Sequence, residues 1–171
     1  MPLVEDCRIV EDRYVRLTDD APVPETGAII VTATRYLADP ASFAARKVPT
    51  GAVWPNDRPV AELEPHLGNL ALVALVFPKF RDGRAFSQAR LLRERYGFDG
   101  ELRATGQVLR DQFLFMLRAG FTSFEVTKPA DAAAFAESIR RYDVFYQPTG
   151  DGRTTAFDGR LSRVKREPAP A

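Results

Sequence analysis

The stretch LALVALVF, residues 70–77, decides the fold because it is the clearest strand in the chain. Its apolar residues run on without alternation, which is typical of a strand buried on both faces of a parallel sheet. A basic loop follows, and then residues 84–96 place apolar side chains at spacings of four, three and four. This spacing stacks them on one face of a helix, which Gly97 ends. A strand, a loop and a helix in this order begin a βαβ unit.

Two segments share a second pattern, from a helix into a strand. ERYGFDGELRA and LRAGFTSFEVT both run from a helix through glycine and phenylalanine into a strand. Strands and helices that alternate with short links form right-handed crossovers and a mainly parallel sheet. We therefore predict an α/β fold with a mainly parallel sheet of about five strands, either open or a partial barrel, after an N-terminal β region. The predicted strands are residues 51–54, 70–77, 101–105, 121–127 and 143–147.

The N-terminal third gives weaker signals. CRIVEDRYVRL has short apolar segments on both sides of a polar pair and predicts a small hairpin. GAIIVTATRYL, residues 27–37, predicts a strand. Asp39 and Pro40 then predict the N-cap and the first turn of a helix over 41–47.

Length and composition set the domain organisation. The chain has 171 residues, enough for one domain that buries a core without metals or disulfides. We predict a single α/β domain over residues 1–148. The remainder, 149–171, is rich in Gly, Arg and Pro, and this composition predicts a disordered C-terminal tail.

Composition also excludes several classes of function. Cys7 and His66 are the single residues of their types, so the chain alone cannot form a disulfide, a zinc site of several Cys and His, or an iron–sulfur cluster. We predict no metal site. The formal net charge of +1 predicts no nucleic-acid partner. Because no apolar run approaches roughly 20 residues and no N-terminal signal is present, we expect a cytoplasmic protein without a membrane span.

Basic residues cluster where the strand 70–77 ends. Ligands in parallel α/β folds bind beyond the carboxyl ends of the strands, where the N–H groups of a following helix favour anions. We predict that this edge binds a sulfate- or phosphate-like anion or an acidic partner. The candidate residues are Lys79, Arg81, Arg84, Ser87, Gln88 and Arg110, and the weaker candidates are Asn56, Asp57 and Asp111, with Glu125 as a further acid. The alternative is that these arginines pair with nearby acids and that Asp57 caps a helix.

No motif identifies a reaction. The sequence contains no GxGxxG, GxxxxGK[ST] or GxSxG motif, which argues against nicotinamide enzymes, P-loop nucleotidases and α/β-hydrolases. No catalytic residue is assigned and no cofactor motif is evident. A flavin held by an unrecognised site remains an open alternative.

The segment FPKFRDGRAFSQARLLRERYGFDGELRATGQVLRDQFLFMLRAGF resembles the central region of a bacterial family catalogued as domain of unknown function nine-three-four. The resemblance extends from about Trp54 to Gln147, with WPND at its start and DVFYQ at its end. Members of this family are described as candidate oxidoreductases of sulfite reduction. The resemblance implies a setting in assimilatory sulfur metabolism and cysteine biosynthesis, beside the sulfite reductase haemoprotein.

Two hypotheses of function follow. The first is an accessory protein of sulfite reduction, which docks on the reductase or another enzyme of sulfur assimilation, or binds a sulfur oxyanion, through the basic loop. The second is an enzyme, an oxidoreductase included, that acts on a sulfate- or phosphate-bearing small molecule at the same edge, with Asp57 or Asp111 moving a proton. A small-molecule sensor is a third reading.

Overall fold

The computed structural model describes residues 1–140, 144–149 and 153–164, and these form a mixed α/β structure around one eight-stranded sheet. The strands are β1 (Leu3–Glu5), β2 (Arg8–Val10), β3 (Tyr14–Arg16), β4 (Ala28–Thr32), β5 (Thr50–Trp54), β6 (Leu72–Phe77), β7 (Glu101–Gly106) and β8 (Ser123–Glu125). The helices are α1 (Ala33–Ala38), α2 (Pro40–Ala44), α3 (Arg84–Arg90), α4 (Phe113–Arg118), α5 (Ala130–Arg140) and α6 (Ala156–Val164). Turns of 3₁₀ helix span Val60–Asn69 and Arg110–Gln112, and α3 continues as a π-helical turn over Leu91–Arg95.

The sheet has the order β2-β1-β8-β7-β6-β5-β4-β3. Neighbours from β3 to β8 pair in parallel, whereas β1 pairs antiparallel with both β2 and β8. The predicted α/β class and N-terminal β region are confirmed, but the prediction of about five strands is wrong. The three N-terminal strands have 3 residues each, too few to show a period of two, and so the sequence does not reveal that they complete the sheet.

The sheet is open and strongly curled into a half-barrel. An ion pair of 2.7 Å joins Arg16 of the edge strand β3 to Glu125 of β8. These strands stand five places apart in the sheet order, a separation of about 24 Å in a flat sheet. Side chains from them can meet only because the sheet curls towards the face that carries both residues.

The two faces of the sheet carry different side chains. The helix-covered face holds the main apolar core, in which Val73, Leu75 and Phe77 of β6 take part. The concave face holds a smaller apolar cluster that includes Leu72 and Ala74. Since β6 contributes to both clusters, the unbroken apolar run of residues 70–77 is explained by burial on both faces.

Four of the five predicted strands are present as β5, β6, β7 and β8, with ends shifted by one or two residues. Of the fifth, residues 143–147, position 143 lies outside the described residues. The described remainder is not part of the sheet, because Phe145 forms a single parallel bridge with Thr155 instead. This prediction is wrong for residues 144–147, where contacts with α4 replace pairing with β8.

The predicted hairpin around Glu11 and Asp12 is also wrong. The strands on either side of this pair, β2 and β3, lie at opposite edges of the sheet. The Asp12 carboxylate accepts hydrogen bonds from the Tyr14 amide at 3.0 Å and from Arg103 of β7 at 2.6 Å. These bonds turn the chain away from β2 and hold it across the concave face.

The region from residue 27 to residue 47 forms a strand and two short helices. Strand β4 ends at Thr32, whose hydroxyl accepts a hydrogen bond from the Arg35 amide and caps α1. The predicted N-cap is confirmed, because the Asp39 carboxylate accepts a hydrogen bond from the Ser42 amide at 3.1 Å and Pro40 begins α2. The predicted strand over 27–37 is shorter than expected, because β4 ends at Thr32 and α1 begins at Ala33.

Helix α6 lies within the segment that composition predicts to be a disordered tail. Its start is capped reciprocally, since the Thr155 hydroxyl accepts from the Asp158 amide at 3.2 Å and the Asp158 carboxylate accepts from the Thr155 amide at 3.0 Å. This capping is a local signal for a helix that an average over the whole segment conceals. Residues 150–152 and 165–171 lie outside the described residues.

The turn between β1 and β2 offers a test of backbone strain. Both of its central residues have positive φ, 45° at Asp6 and 65° at Cys7, which is the geometry of a turn that favours glycine at the second position. We expect Cys7→Gly to raise the free energy of unfolding by about 0.5 kcal/mol, since the gain from relieved strain exceeds the loss of the half-buried thiol's packing. Urea unfolding measures the change. Cys7→Ala keeps the strain and should instead destabilise the fold; a gain with alanine would contradict this account.

Candidate functional site

The predicted basic loop lies between β6 and α3, at the carboxyl edge of the sheet. Lys79 and Arg81 are exposed, and neither side chain forms an ion pair within the described part of the chain. Arg84 is different, because its guanidinium holds the Asp82 carboxylate with bonds of 2.9 and 2.6 Å. These hydrogen bonds hold the pKa of Asp82 well below its ordinary value. Arg84 is thus neutralised locally, and Lys79 and Arg81 carry the free charge of the loop.

Three predicted residues lie close together beside the end of β5. The Asn56 side-chain oxygen lies 3.4 Å from the Arg84 guanidinium, and both Asn56 and Gln88 are buried. The Gln88 amide group donates hydrogen bonds to the carbonyl oxygens of Pro55 at 3.0 Å and Arg58 at 2.8 Å. Gln88 therefore links α3 to the loop after β5. Its side-chain N–H groups are both used in this structural contact.

The remaining candidates do not complete an anion site in this arrangement. Arg110 binds the Asp131 carboxylate at 2.8 Å, and this bond lowers the pKa of Asp131. Ser87 lies on the exposed surface of α3, and Asp57 is exposed in the loop after β5. Asp111 forms no ion pair within the described part of the chain, and it lines an open groove beside the basic loop. An anion site at this edge stays a prediction.

An open groove of about 640 Å³ lies beside the basic loop, and we call it the aromatic groove. Phe80 and Phe115 line it while 52% and 63% exposed, which is unusual for phenylalanine. Phe86 packs edge-on against the buried Phe77, with ring centroids 5.1 Å apart, and links the groove to the core. The lining residues are Phe80, Phe86, Arg90, Asp111, Gln112, Phe115, Arg118, Ala119, Gln147 and Thr149.

Main-chain hydrogen bonds hold Phe80 at the rim of the groove. The Phe80 amide donates to the Gln107 side chain at 2.8 Å, and the Gln107 amide donates to the Phe77 carbonyl at 2.7 Å. Gly106, which precedes Gln107, has φ +93°, and a Cβ at this position would lie 2.4 Å from the Phe77 carbonyl oxygen. Only glycine therefore allows β7 to end in this geometry, which sets the position of the exposed ring.

The concave face holds a charged network that sequence reasoning missed. Arg103 is fully buried, and its guanidinium binds Asp12 at 2.6 and 3.1 Å and Glu101 at 2.9 Å. Glu125, which the sequence suggests as an acid, accepts hydrogen bonds from Arg16 at 2.7 Å and Thr105 at 2.6 Å. The sequence contains a signal for this polar face, since Glu101, Arg103 and Thr105 alternate with apolar residues along β7.

This network is a structural element in its present arrangement. The acids Asp12, Glu101 and Glu125 form ion pairs with the arginines at positions 13, 16 and 103. Burial and the charge of Glu101 raise the pKa of the neighbouring Glu5. Burial on its own would raise the pKa of Asp12, but hydrogen bonds from Arg103 and the Tyr14 amide lower it below its ordinary value. Each of these three carboxylates therefore already has a cationic partner, as buried charges require.

Within residues 1–140, 144–149 and 153–164, no group of three or more His, Cys, Asp or Glu side chains is placed to hold a metal ion. No helix in this part of the chain has the length and apolar character that crossing a membrane requires.

Comparison with known proteins identifies one family. The family model described as "Bacterial protein of unknown function (DUF934)" matches residues 51–157, more than half of the chain. The match confirms the resemblance inferred from the central segment and extends it to the start of α6. It covers the basic loop and every described residue that lines the aromatic groove. No curated protein matches the chain.

Proposed function

We propose that this chain, which belongs to the bacterial family of unknown function DUF934, is a docking protein of assimilatory sulfite reduction that binds a partner protein through the aromatic groove. The observation that carries the proposal is that Phe80 and Phe115 line the same groove and are both more than half exposed. Exposed apolar patches next to charged residues are typical of interaction sites.

Aromatic anchors supply much of the binding energy at protein interfaces. Phe80 and Phe115 have large apolar surfaces to bury against a partner, and Phe86 is already held by its contact with Phe77. The hydrogen bond that the Phe80 amide donates to the Gln107 side chain holds the Phe80 backbone in place before binding. Such preorganisation lowers the entropy that is lost when the partner binds.

The charge beside the groove indicates the chemistry of the partner. Lys79 and Arg81 directly flank Phe80 in the sequence, while Arg84 and Arg110 are neutralised by Asp82 and Asp131. The free charge of the loop is therefore positive. Complementary charge steers association, so the occupant is a partner segment with an apolar side chain beside acidic residues.

The identity of the partner rests on the resemblance stated above. That resemblance implies a setting beside the sulfite reductase haemoprotein, and we propose this reductase as the partner. The anion-binding hypothesis uses the same loop, because a sulfur oxyanion and an acidic side chain present the same negative oxygens to Lys79 and Arg81.

The double variant Phe80→Ser, Phe115→Ser is expected to weaken binding to the purified reductase haemoprotein at least tenfold, because it removes two apolar anchors. Both side chains are more than half exposed, so the melting temperature should change little. Calorimetric titration measures the affinity. Val15→Ser is the matched control, since Val15 is 60% exposed on β3 and lies outside the groove lining.

Affinity purification of the tagged protein from its native host grown on sulfate tests the proposal in the cell. Recovery of colourless protein with the reductase, lost in the double variant and kept in the control, supports the proposal. The proposal fails if the reductase is absent from the wild-type sample and deletion of the gene leaves sulfite reduction normal. A yellow protein recovered alone would instead favour a flavin oxidoreductase.

A further inference from the structure

The C-terminal segment 144–149 forms one wall of the aromatic groove, through Gln147 and Thr149. This segment follows the last strand of the sheet and does not pair with it. Its position therefore depends on one backbone bridge, between Phe145 and Thr155, and on side-chain contacts with the helices. Arg118, the last residue of α4, makes several of these contacts.

Arg118 holds the segment in two ways. Its guanidinium carbon lies 4.0 Å from the centroid of the Phe145 ring, a close cation–π contact with a ring that is itself buried. The same guanidinium donates hydrogen bonds to the Gln147 carbonyl oxygen and, at 3.2 Å, to the Thr149 hydroxyl. One side chain thus fixes both wall residues and the ring beneath them.

Phe145 also connects this wall to the region before α6. The Ala156 amide donates to the Phe145 carbonyl at 2.7 Å, and the Arg153 guanidinium carbon lies 5.6 Å from the Phe145 ring centroid. The residues around positions 145 and 155 therefore dock together. Hydrogen exchange at the Ala156 amide reports whether this docking is intact.

We infer that Arg118 is the positioning residue that docks residues 144–149 against α4 and thereby completes the partner-binding groove. The inference rests on the proposed function in taking the groove as the binding surface. When only a fraction of molecules has the segment docked, the apparent dissociation constant for the partner rises by the inverse of that fraction. Docking of the segment and binding of the partner are then coupled.

Hydrogen-exchange mass spectrometry of the full-length protein tests the docking without any partner. In Arg118→Ala we expect peptides that cover residues 144–149 and 153–156 to exchange at least tenfold faster, with peptides from β6 and β7 unchanged. Arg118→Lys should show the same direction, because lysine keeps the charge but lacks the planar fork and its stacking. Phe145→Leu removes the ring and leaves Arg118 in place, and it should also raise exchange.

Arg90→Ala is the matched control for the exchange measurement alone, and exchange over residues 144–149 should be unchanged in it, because Arg90 lines the same groove but pairs with Glu94 at 3.0 Å. Calorimetric titration with the reductase haemoprotein measures binding. In Arg118→Ala the affinity should fall by the same factor as the docked fraction. In Phe157→Ser the affinity should be unchanged, because Phe157 is an exposed phenylalanine that is absent from the groove lining.

Two results would overturn the inference. The first is unchanged exchange over residues 144–149 and 153–156 in both Arg118→Ala and Phe145→Leu, and the second is faster exchange with unchanged affinity. If the wild-type protein does not bind the reductase, the proposed function fails, and the exchange data alone still decide whether Arg118 holds the segment.

Discussion

Arg103→Met is expected to lower the free energy of unfolding by about 3–5 kcal/mol, which is the usual cost of removing one partner from a buried ion pair. Methionine keeps much of the side-chain volume but leaves Asp12, Glu101 and Glu125 without their central cation. The arginines at positions 13 and 16 remain at the margin of the network, too exposed to replace a fully buried guanidinium. Urea unfolding at neutral pH measures the loss.

The loss in Arg103→Met should become smaller in acid. In the wild-type protein the pKa of Asp12 is lowered, so its stabilising contribution is present above the unfolded pKa of about 3.9 and is lost as pH falls through the lower folded value. In the variant, protonation of Asp12 removes an unpaired negative charge from the network, and this happens as pH falls. The two stability curves therefore converge below about pH 4.

Arg90→Ala is the control for this prediction. Arg90 pairs with Glu94 at 3.0 Å on an exposed helix surface, and its loss should cost less than about 0.5 kcal/mol. If Arg103→Met cost no more than Arg90→Ala, the network would not stabilise the fold, and the structural reading of Glu125 would have to be withdrawn.

Gly106→Ala is expected to lower the free energy of unfolding by about 3–4 kcal/mol, the sum of strain from positive φ and steric overlap. Its φ of +93° disfavours any residue with a Cβ, and the added Cβ would lie 2.4 Å from the Phe77 carbonyl oxygen. Because that oxygen belongs to the backbone of a buried strand, no side-chain rotation relieves the overlap. Thermal and urea unfolding both report the change.

Gly97→Ala separates the two contributions. Gly97 also has positive φ, +61°, but a Cβ there would have nothing within 4 Å, so the cost should be only about 1 kcal/mol. Equal losses for the two variants would show that strain alone acts at Gly106. In Gly106→Ala the amide of Phe80 should also exchange faster, since the turn that holds Gln107 is displaced.

Local patterns in the sequence were enough to predict the central elements. The apolar run of residues 70–77 and the spacing after it correctly predict β6 and α3, because side-chain period and burial are recorded within a few neighbouring residues. The N-cap at Asp39 was predictable for the same reason. The three-residue strands β1, β2 and β3 were not, because they are shorter than one clear repeat of any pattern.

The candidate site was predictable only in part. The sequence places a basic loop after the strand 70–77, and the structure shows that Lys79 and Arg81 are exposed there. Only the structure shows that Asp82 and Asp131 neutralise Arg84 and Arg110. The aromatic groove was missed because Phe80 and Phe115 look like core residues in a sequence. Whether an apolar side chain is exposed depends on which other residues pack over it in the fold. The spacing of apolar residues in the sequence does not contain this information.

The sequence by itself determined the α/β class, the family and the order of the central strands and helices, because these follow from short-range periodicity and matching segments. The tertiary structure alone decided which charges meet. Arg103 and Asp12 are 91 positions apart, and Arg16 and Glu125 are 109 apart. Only the curl of the sheet brings these residues within bonding distance, since the interactions that set the curl act between strands that are distant in the chain.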